Sequence, residues 1–157
     1  MQPILRPYQT SDLEAAIALY RDAALVTGGT AYSPAQAAAW ARYAEDRAAF
    51  SQTLQQGTTL VAIANGSLAA FGQLHPDYHL ALLYTASSFG RQGYGTQVYQ
   101  ALEAIARERQ VPQLHTQASR IARPFFLKMG FQVQAREEVE REGQKFERFG
   151  MVKPLLG

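Results

Sequence analysis

Leu80-Ala81-Leu82-Leu83-Tyr84-Thr85-Ala86-Ser87-Ser88-Phe89-Gly90-Arg91-Gln92-Gly93-Tyr94-Gly95-Thr96 holds three different local signals in seventeen residues. An apolar run, Leu80 to Thr85, predicts a buried strand. A loop with three glycines and an arginine follows between positions 90 and 95. Helix-forming residues then run to about Arg109. Strand, loop and helix in that order aim backbone N–H groups and the positive end of a helix dipole at one spot, which suits a pyrophosphate. Gly90, Gly93 and Gly95 allow close approach of a ligand because they carry no Cβ, and Arg91 adds a charge. A tight strand-to-helix turn needs fewer glycines than this.

Two familiar phosphate loops do not fit. A P-loop requires Lys before the Ser/Thr, and here Thr96 follows Gly95 directly. The dinucleotide fingerprint requires glycine at the place of Val98, inside an early βαβ unit.

Outward from this segment the periods change several times. Ile4 to Tyr8 predicts a first strand. Ser11-Asp12-Leu13-Glu14 has the pattern of a capping box, and Leu13, Ile17, Tyr20 and Ala24 keep helical spacing up to Gly28-Gly29. Ser33-Pro34 predicts the start of a second helix, which runs through Ala37, Trp40 and Tyr43 and stays helical in composition to about Gln56. Thr58–Ala64 and Leu68–Leu74 predict a hairpin around Asn65-Gly66, and His75-Pro76-Asp77 a turn. After the helix ending near Arg109, Gln113–Gln117 predicts a strand and Ile121–Met129 a short helix. Phe131–Glu140 and Lys145–Val152 predict a last hairpin around Glu142-Gly143. The order β-α-α-β-β-β-α-β-α-β-β is mixed α+β, not doubly wound alternation.

Composition bounds the function. A chain of 157 residues, 47% hydrophobic and 18% charged, fits one globular domain spanning 1–157. There is no cysteine, which excludes a disulfide framework, a thiolate metal site and a cysteine nucleophile; no metal is expected. The net charge of +2 is scattered, without the clustered basic footprint of a nucleic-acid binder. Neither a signal-peptide pattern nor an apolar run of roughly 20 residues is present, so the expectation is a cytoplasmic protein without a membrane partner.

The motifs then resemble one family. Leu83-Tyr84-Thr85 followed by Gly93-Tyr94-Gly95 is similar to the pattern of the GCN5-related N-acetyltransferases (GNAT), in which Gln/Arg-x-x-Gly-x-Gly/Ala follows a Leu-Tyr-Val strand. Gly90 stands at the Gln/Arg position, with Arg91 and Gln92 beside it. Downstream, Ser119-Arg120-Ile121-Ala122-Arg123-Pro124-Phe125-Phe126 and Gly130-Phe131 resemble the family's Asn-x-x-Ala-x-x-Phe-Tyr and Gly-Phe, with Ser119 for Asn and Phe126 for Tyr. Ala118 to Phe126, together with Tyr32-Ser33-Pro34 and Trp40, resembles the YafP-like bacterial branch.

The resemblance implies a mixed central sheet whose fourth and fifth strands splay, with acetyl-coenzyme A between them. Leu83 and Thr85 would offer backbone groups to the pantetheine arm. Gly90, Arg91, Gln92, Gly93, Tyr94, Gly95 and Thr96 would hold the pyrophosphate, and Ser119 and Phe126 would line the far side. The implied reaction is direct transfer, in a ternary complex, to a small-molecule or peptide amine. A catalytically weak sensor that only binds coenzyme A is the alternative, because Phe126 cannot donate the proton that a tyrosine would. Tyr84, Ser119, Thr116 or water stand in as donor, and backbone near Tyr84 as the N–H donor to the carbonyl oxygen. His75, at the end of the third strand, is the expected base, with water as its rival; Asp77 and His79 read as turn residues, His115 as core and Glu147 as exposed. Tyr32 and Trp40 are expected to wall the acceptor. Monomer and homodimer both remain open.

Overall fold

The computed structural model describes residues 2–156. Seven strands form one sheet: β1 (Ile4–Pro7), β2 (Thr58–Ala64), β3 (Ser67–Leu74), β4 (His79–Thr85), β5 (Gln113–Ser119), β6 (Gln132–Arg141) and β7 (Gln144–Pro154). Their order across the sheet is β1-β2-β3-β4-β5-β7-β6. All neighbours are antiparallel except β4 and β5. Asn65-Gly66 and Glu142-Gly143 turn the two hairpins, with positive φ at all four residues, as a two-residue hairpin loop of this kind demands.

Helices α1 (Leu13–Asp22), α2 (Pro34–Ala41) and α3 (Arg47–Leu54) cover one face. There Leu19, Tyr20, Phe50, Leu54, Val61 and Phe71 close a core. Helices α4 (Tyr94–Glu108) and α5 (Arg123–Lys128) cover the other, packing Val98, Tyr99, Leu102 and Phe126 on Leu114, Phe149 and Met151. A half-buried network ties α4 to β7: Glu103 accepts from Tyr99 Oη at 2.6 Å and from Lys153 Nζ at 2.6 Å.

Two helix boundaries differ from the sequence reading. The start of α1 is not capped by Ser11. Instead Asp12 accepts the Gln9 N–H at 2.8 Å and takes both guanidinium nitrogens of Arg6 at 2.8 Å, so a charged hydrogen-bonded pair fixes the entry to the helix. The second helical stretch does not run on to Gln56. It ends in a short 3-10 turn, Arg42–Ala44, and α3 begins anew with Asp46 accepting the Ala49 N–H. The Ser33 cap of α2 is present with its reciprocal Gln36 contact.

One irregularity positions the site. Gln73 pairs with Leu82 and Leu74 with Leu80, so Ala81 is an extra residue in β4. The bulge exchanges the faces: Leu80 packs in the α4 core, and Leu82 in the α1 core.

Candidate active site

β4 and β5 pair at two places only, His79 with His115 and Leu80 with Thr116. Beyond the Ala81 bulge they part. A cleft of about 720 Å³ opens there, walled by Leu80–Tyr84 of β4, Thr116–Ser119 of β5, Ala122 and Phe126 by α5, and the β6–β7 hairpin. β4 remains bonded to β3 on its other side. Its free edge therefore faces the gap, where an extended, amide-bearing arm can pair as an added strand.

The glycine loop lies past the open end of the cleft. The first bond of α4 runs from Gln97 N–H to Gly93 O at 3.0 Å. Helix geometry thus leaves the amides of Tyr94, Gly95 and Thr96 to point out of the helix start. The three glycines serve different ends. Gly93 has φ +83° and no heavy atom within 4 Å of the place a Cβ would take. At Gly95 a Cβ would lie 2.7 Å from Thr85 Oγ1, so this glycine lets α4 start against the end of β4. Gly90 has φ −62° and ψ 148°, which any residue adopts; the left-handed residue is its neighbour Arg91, at φ +63°. The backbone angles of Gly90 therefore do not call for glycine, although a Cβ there would stand a tight 3.3 Å from Ser87 O. Arg91 and Gln92 are exposed. Tyr94 is buried with its ring edge-on to Phe89 at 5.6 Å, so only its backbone is available to a ligand. An open cradle at Gly93, three free amides, an exposed arginine and a parted sheet in line with them fit a diphosphate carrying a long amide-bearing arm.

Tyr84, Tyr32 and Trp40 all line the cleft. Tyr84 is half-buried among Tyr20 (ring centroids 4.8 Å), Phe71 (5.8 Å) and Trp40 (6.3 Å). Burial pushes its hydroxyl up to about 12, against the opposing hydrogen bonding of Tyr20 and Trp40. Burial also raises Tyr20 and Tyr32. Tyr32 packs edge-on against Trp40 at 5.8 Å and Phe146 at 5.4 Å, and the Arg120 guanidinium lies 4.7 Å over its ring. Gln36 Nε2 donates to Lys145 O at 2.8 Å, joining α2 to the hairpin across the cleft. On the far wall Phe126 is buried, and Ser119 Oγ accepts the Ala122 N–H at 3.1 Å, leaving its O–H to donate.

His75 is not where the sequence reading put it. It is exposed, outside the cleft, and its N–H bonds His79 O at 3.0 Å in the turn at the closed end of the parted strands. Antiparallel connection accounts for this: the end of β3 meets the beginning of β4, whereas the strands separate at the end of β4. His79 and His115 sit at the same closed end, stacked with Nδ1 atoms 2.9 Å apart. Glu147 does line the cleft, but it is engaged by Arg136 and by Arg120 at 3.9 Å. Sequence reading passed over Tyr20, Tyr43 and Phe146 as cleft walls; their apolar spacing reads equally well as core, and only the tertiary crossing of α1, α2 and the hairpin distinguishes the two. Among the described residues no group of three or more metal-binding side chains converges, and no helix is long and apolar enough to cross a membrane.

A split mixed sheet with a glycine-rich helix start at its open end defines a class of acyl-transferring enzymes. The profile of the acetyltransferase (GNAT) domain matches residues 29–153, and the chain belongs to that family of N-acetyltransferases. The uncharacterized N-acetyltransferase YafP of Escherichia coli K12 is 29% identical over 147 residues, covering 94% of this chain and 93% of the relative. The crystal structure of a GCN5-related N-acetyltransferase from Rhodopseudomonas palustris aligns with a TM-score of 0.94 at 31% identity, covering 99% of this chain and 97% of that one. The PaiA N-acetyltransferase of Thermoplasma acidophilum, solved in complex with coenzyme A, shares the fold at a TM-score of 0.78 and 20% identity, covering 98% and 99% of the two chains.

Proposed function

We propose that the chain binds acetyl-coenzyme A between β4 and β5 and transfers its acetyl group directly to a small-molecule or peptide amine. The observation that carries this is the parting of β4 and β5 beyond their two paired positions, which opens the sheet toward the end of β4 where the cradle at Gly93 lies. The amides of Tyr94, Gly95 and Thr96, with Arg91, are the groups for the pyrophosphate. The free edge of β4 around Leu83 and Thr85 is the group for the pantetheine arm. The thioester supplies an activated acyl group. Direct transfer is supported by the absence of cysteine from the chain.

The chain's own residues divide the remaining work. Tyr32 and Trp40 orient the acceptor, and their apolar rings favour an amine borne on an apolar body. Backbone N–H groups of β4 near Tyr84 stabilise the carbonyl oxygen as negative charge builds on it. Tyr84, a phenol and so protonated at neutral pH, gives a proton to the departing sulfur, the role that Phe126 cannot fill. With His75 outside the cleft, water takes the proton of the amine.

Calorimetry with acetyl-coenzyme A tests binding, and absence of heat at millimolar ligand would end the proposal. A panel of amines with detection of released thiol tests turnover. For Tyr84→Phe the expectation is a kcat lowered about 10- to 100-fold with unchanged affinity for acetyl-coenzyme A. An unchanged kcat would remove Tyr84 from the chemistry. Phe126 at the family's tyrosine position favours one second reading, a sensor without turnover; binding with no thiol release across the whole panel would select it.

A further inference from the structure

We infer that Asp22 is a positioning residue for the cofactor loop, fixing where the chain enters the segment that ends at Gly93. The inference rests on the reading of that segment as the pyrophosphate site. Asp22 is the last residue of α1, two positions after Tyr20 in the cleft wall. One of its carboxylate oxygens accepts the Ser87 N–H at 2.6 Å and the other the Ser87 hydroxyl at 2.8 Å. The two residues are 65 apart in sequence, so the contact joins the acceptor-side helix to the far end of β4.

The segment needs such a tie. Ser87–Phe89 is a single 3-10 turn, held internally by Phe89 N–H to Ala86 O at 2.9 Å and Gly90 N–H to Ser87 O at 3.2 Å. Gly90, Arg91, Gln92 and Gly93 then run exposed to the start of α4, with Arg91 in the left-handed region. Among the described residues Asp22 is the one side chain that hydrogen-bonds this stretch. After Asp22 the helix widens into a π-helical turn, Ala23–Thr27, a distortion that tends to occur at working sites. Asp22 acts through geometry and not through charge, because a carboxylate near an anion site is electrostatically unfavourable. Releasing the tie lets the loop sample arrangements that do not bind, and apparent affinity falls by the fraction lost.

The charge and the geometry separate experimentally. In Asp22→Asn the carbonyl oxygen still accepts the Ser87 N–H; in Asp22→Ala nothing does. Ser87→Pro removes both donors while suiting the first position of the turn, and it leaves Asp22 in place. Calorimetry with coenzyme A is expected to show affinity about five- to tenfold weaker for Asp22→Ala and Ser87→Pro, and within about twofold of the parent for Asp22→Asn. Hydrogen exchange of the ligand-free protein is expected to be faster at amides 88–93 in the first two variants and unchanged in Asp22→Asn, with thermal midpoints close to the parent. Parental affinity and exchange in both Asp22→Ala and Ser87→Pro would overturn the inference. So would an Asp22→Asn as weak as Asp22→Ala, since charge would then be the cause. A parent protein that does not bind coenzyme A would overturn the reading of the loop instead, while the exchange measurement would still decide the tie.

Discussion

At the scale of single residues, the glycines of the loop show why a motif is easier to read than its parts. Gly90, Gly93 and Gly95 look alike in sequence, yet a Cβ would stand a tight 3.3 Å from Ser87 O at the first, meet nothing at the second and lie 2.7 Å from Thr85 Oγ1 at the third. Gly93 alone combines a glycine-only φ with empty space on the side where a diphosphate would lie. Its replacement should therefore separate binding from folding. Gly93→Val costs the strain of a left-handed residue, about 1–2 kcal/mol, which lowers the apo thermal midpoint by only a few degrees. The branched side chain occupies the cradle, so coenzyme A should fail to bind at millimolar concentration in calorimetry. Retained binding would make the loop a turn and no more. Tyr84 and His75 were both legible as candidates, and only Tyr84 lines the cleft. Tyr84 lies on a strand that enters the cleft; His75 is excluded by a strand direction that no local signal reveals.

At the scale of elements, most of the fold was legible, because caps, hairpin turns and changes of period are local. Ser33-Pro34, Asn65-Gly66 and Glu142-Gly143 stand where their chemistry puts them. The misread boundaries have local causes as well: Asp46 is a good N-cap inside a stretch that remains helical in composition, and Asp12 is drawn to Arg6 across the entry to α1. The Ala81 bulge was illegible for another reason. A strand buried on both faces shows no alternation, so a change of face leaves no trace in its pattern. Close docking of α4 on β3 is equally silent in sequence. It depends on Gly72, where a Cβ would stand 3.0 Å from side-chain carbons of Leu83, Val98 and Leu102. Those three cannot all give way within a packed interior. Gly72→Val should thus destabilise the protein by about 2–3 kcal/mol, read as a lower urea midpoint at unchanged m-value. Because the same wedge pushes against Leu83 in the cleft wall, affinity for coenzyme A should drop as well. A midpoint equal to that of the parent would show that α4 does not depend on this contact.

At the scale of the whole molecule, the sheet is two antiparallel blocks, β1–β4 and β5–β7, joined edge to edge at the two pairs of the β4–β5 junction. His79 and His115 form one of those pairs, and their facing Nδ1 atoms need one donor and one acceptor. A second proton would set two N–H groups against each other. Burial, then the neighbouring His115, hold His79 below its ordinary range, with His75 adding to the effect. The sign follows from linkage: the native state binds fewer protons than the unfolded chain, so the stabilisation is complete above the unfolded value of about 6.5 and is lost as pH falls below it. Stability should therefore decline between about pH 7 and pH 5, a window in which Asp12 and Glu103, both held low, remain ionised. His79→Phe keeps the stacked ring and removes the titration, so its thermal midpoint should stay flatter over the same range. The junction is also the vertex from which the cleft opens. Affinity for coenzyme A should accordingly fall with acid more steeply in the parent than in His79→Phe, a comparison that cancels the ligand's own phosphate ionisation. Parallel profiles for the two proteins would mean that the histidine pair closes the sheet without controlling it.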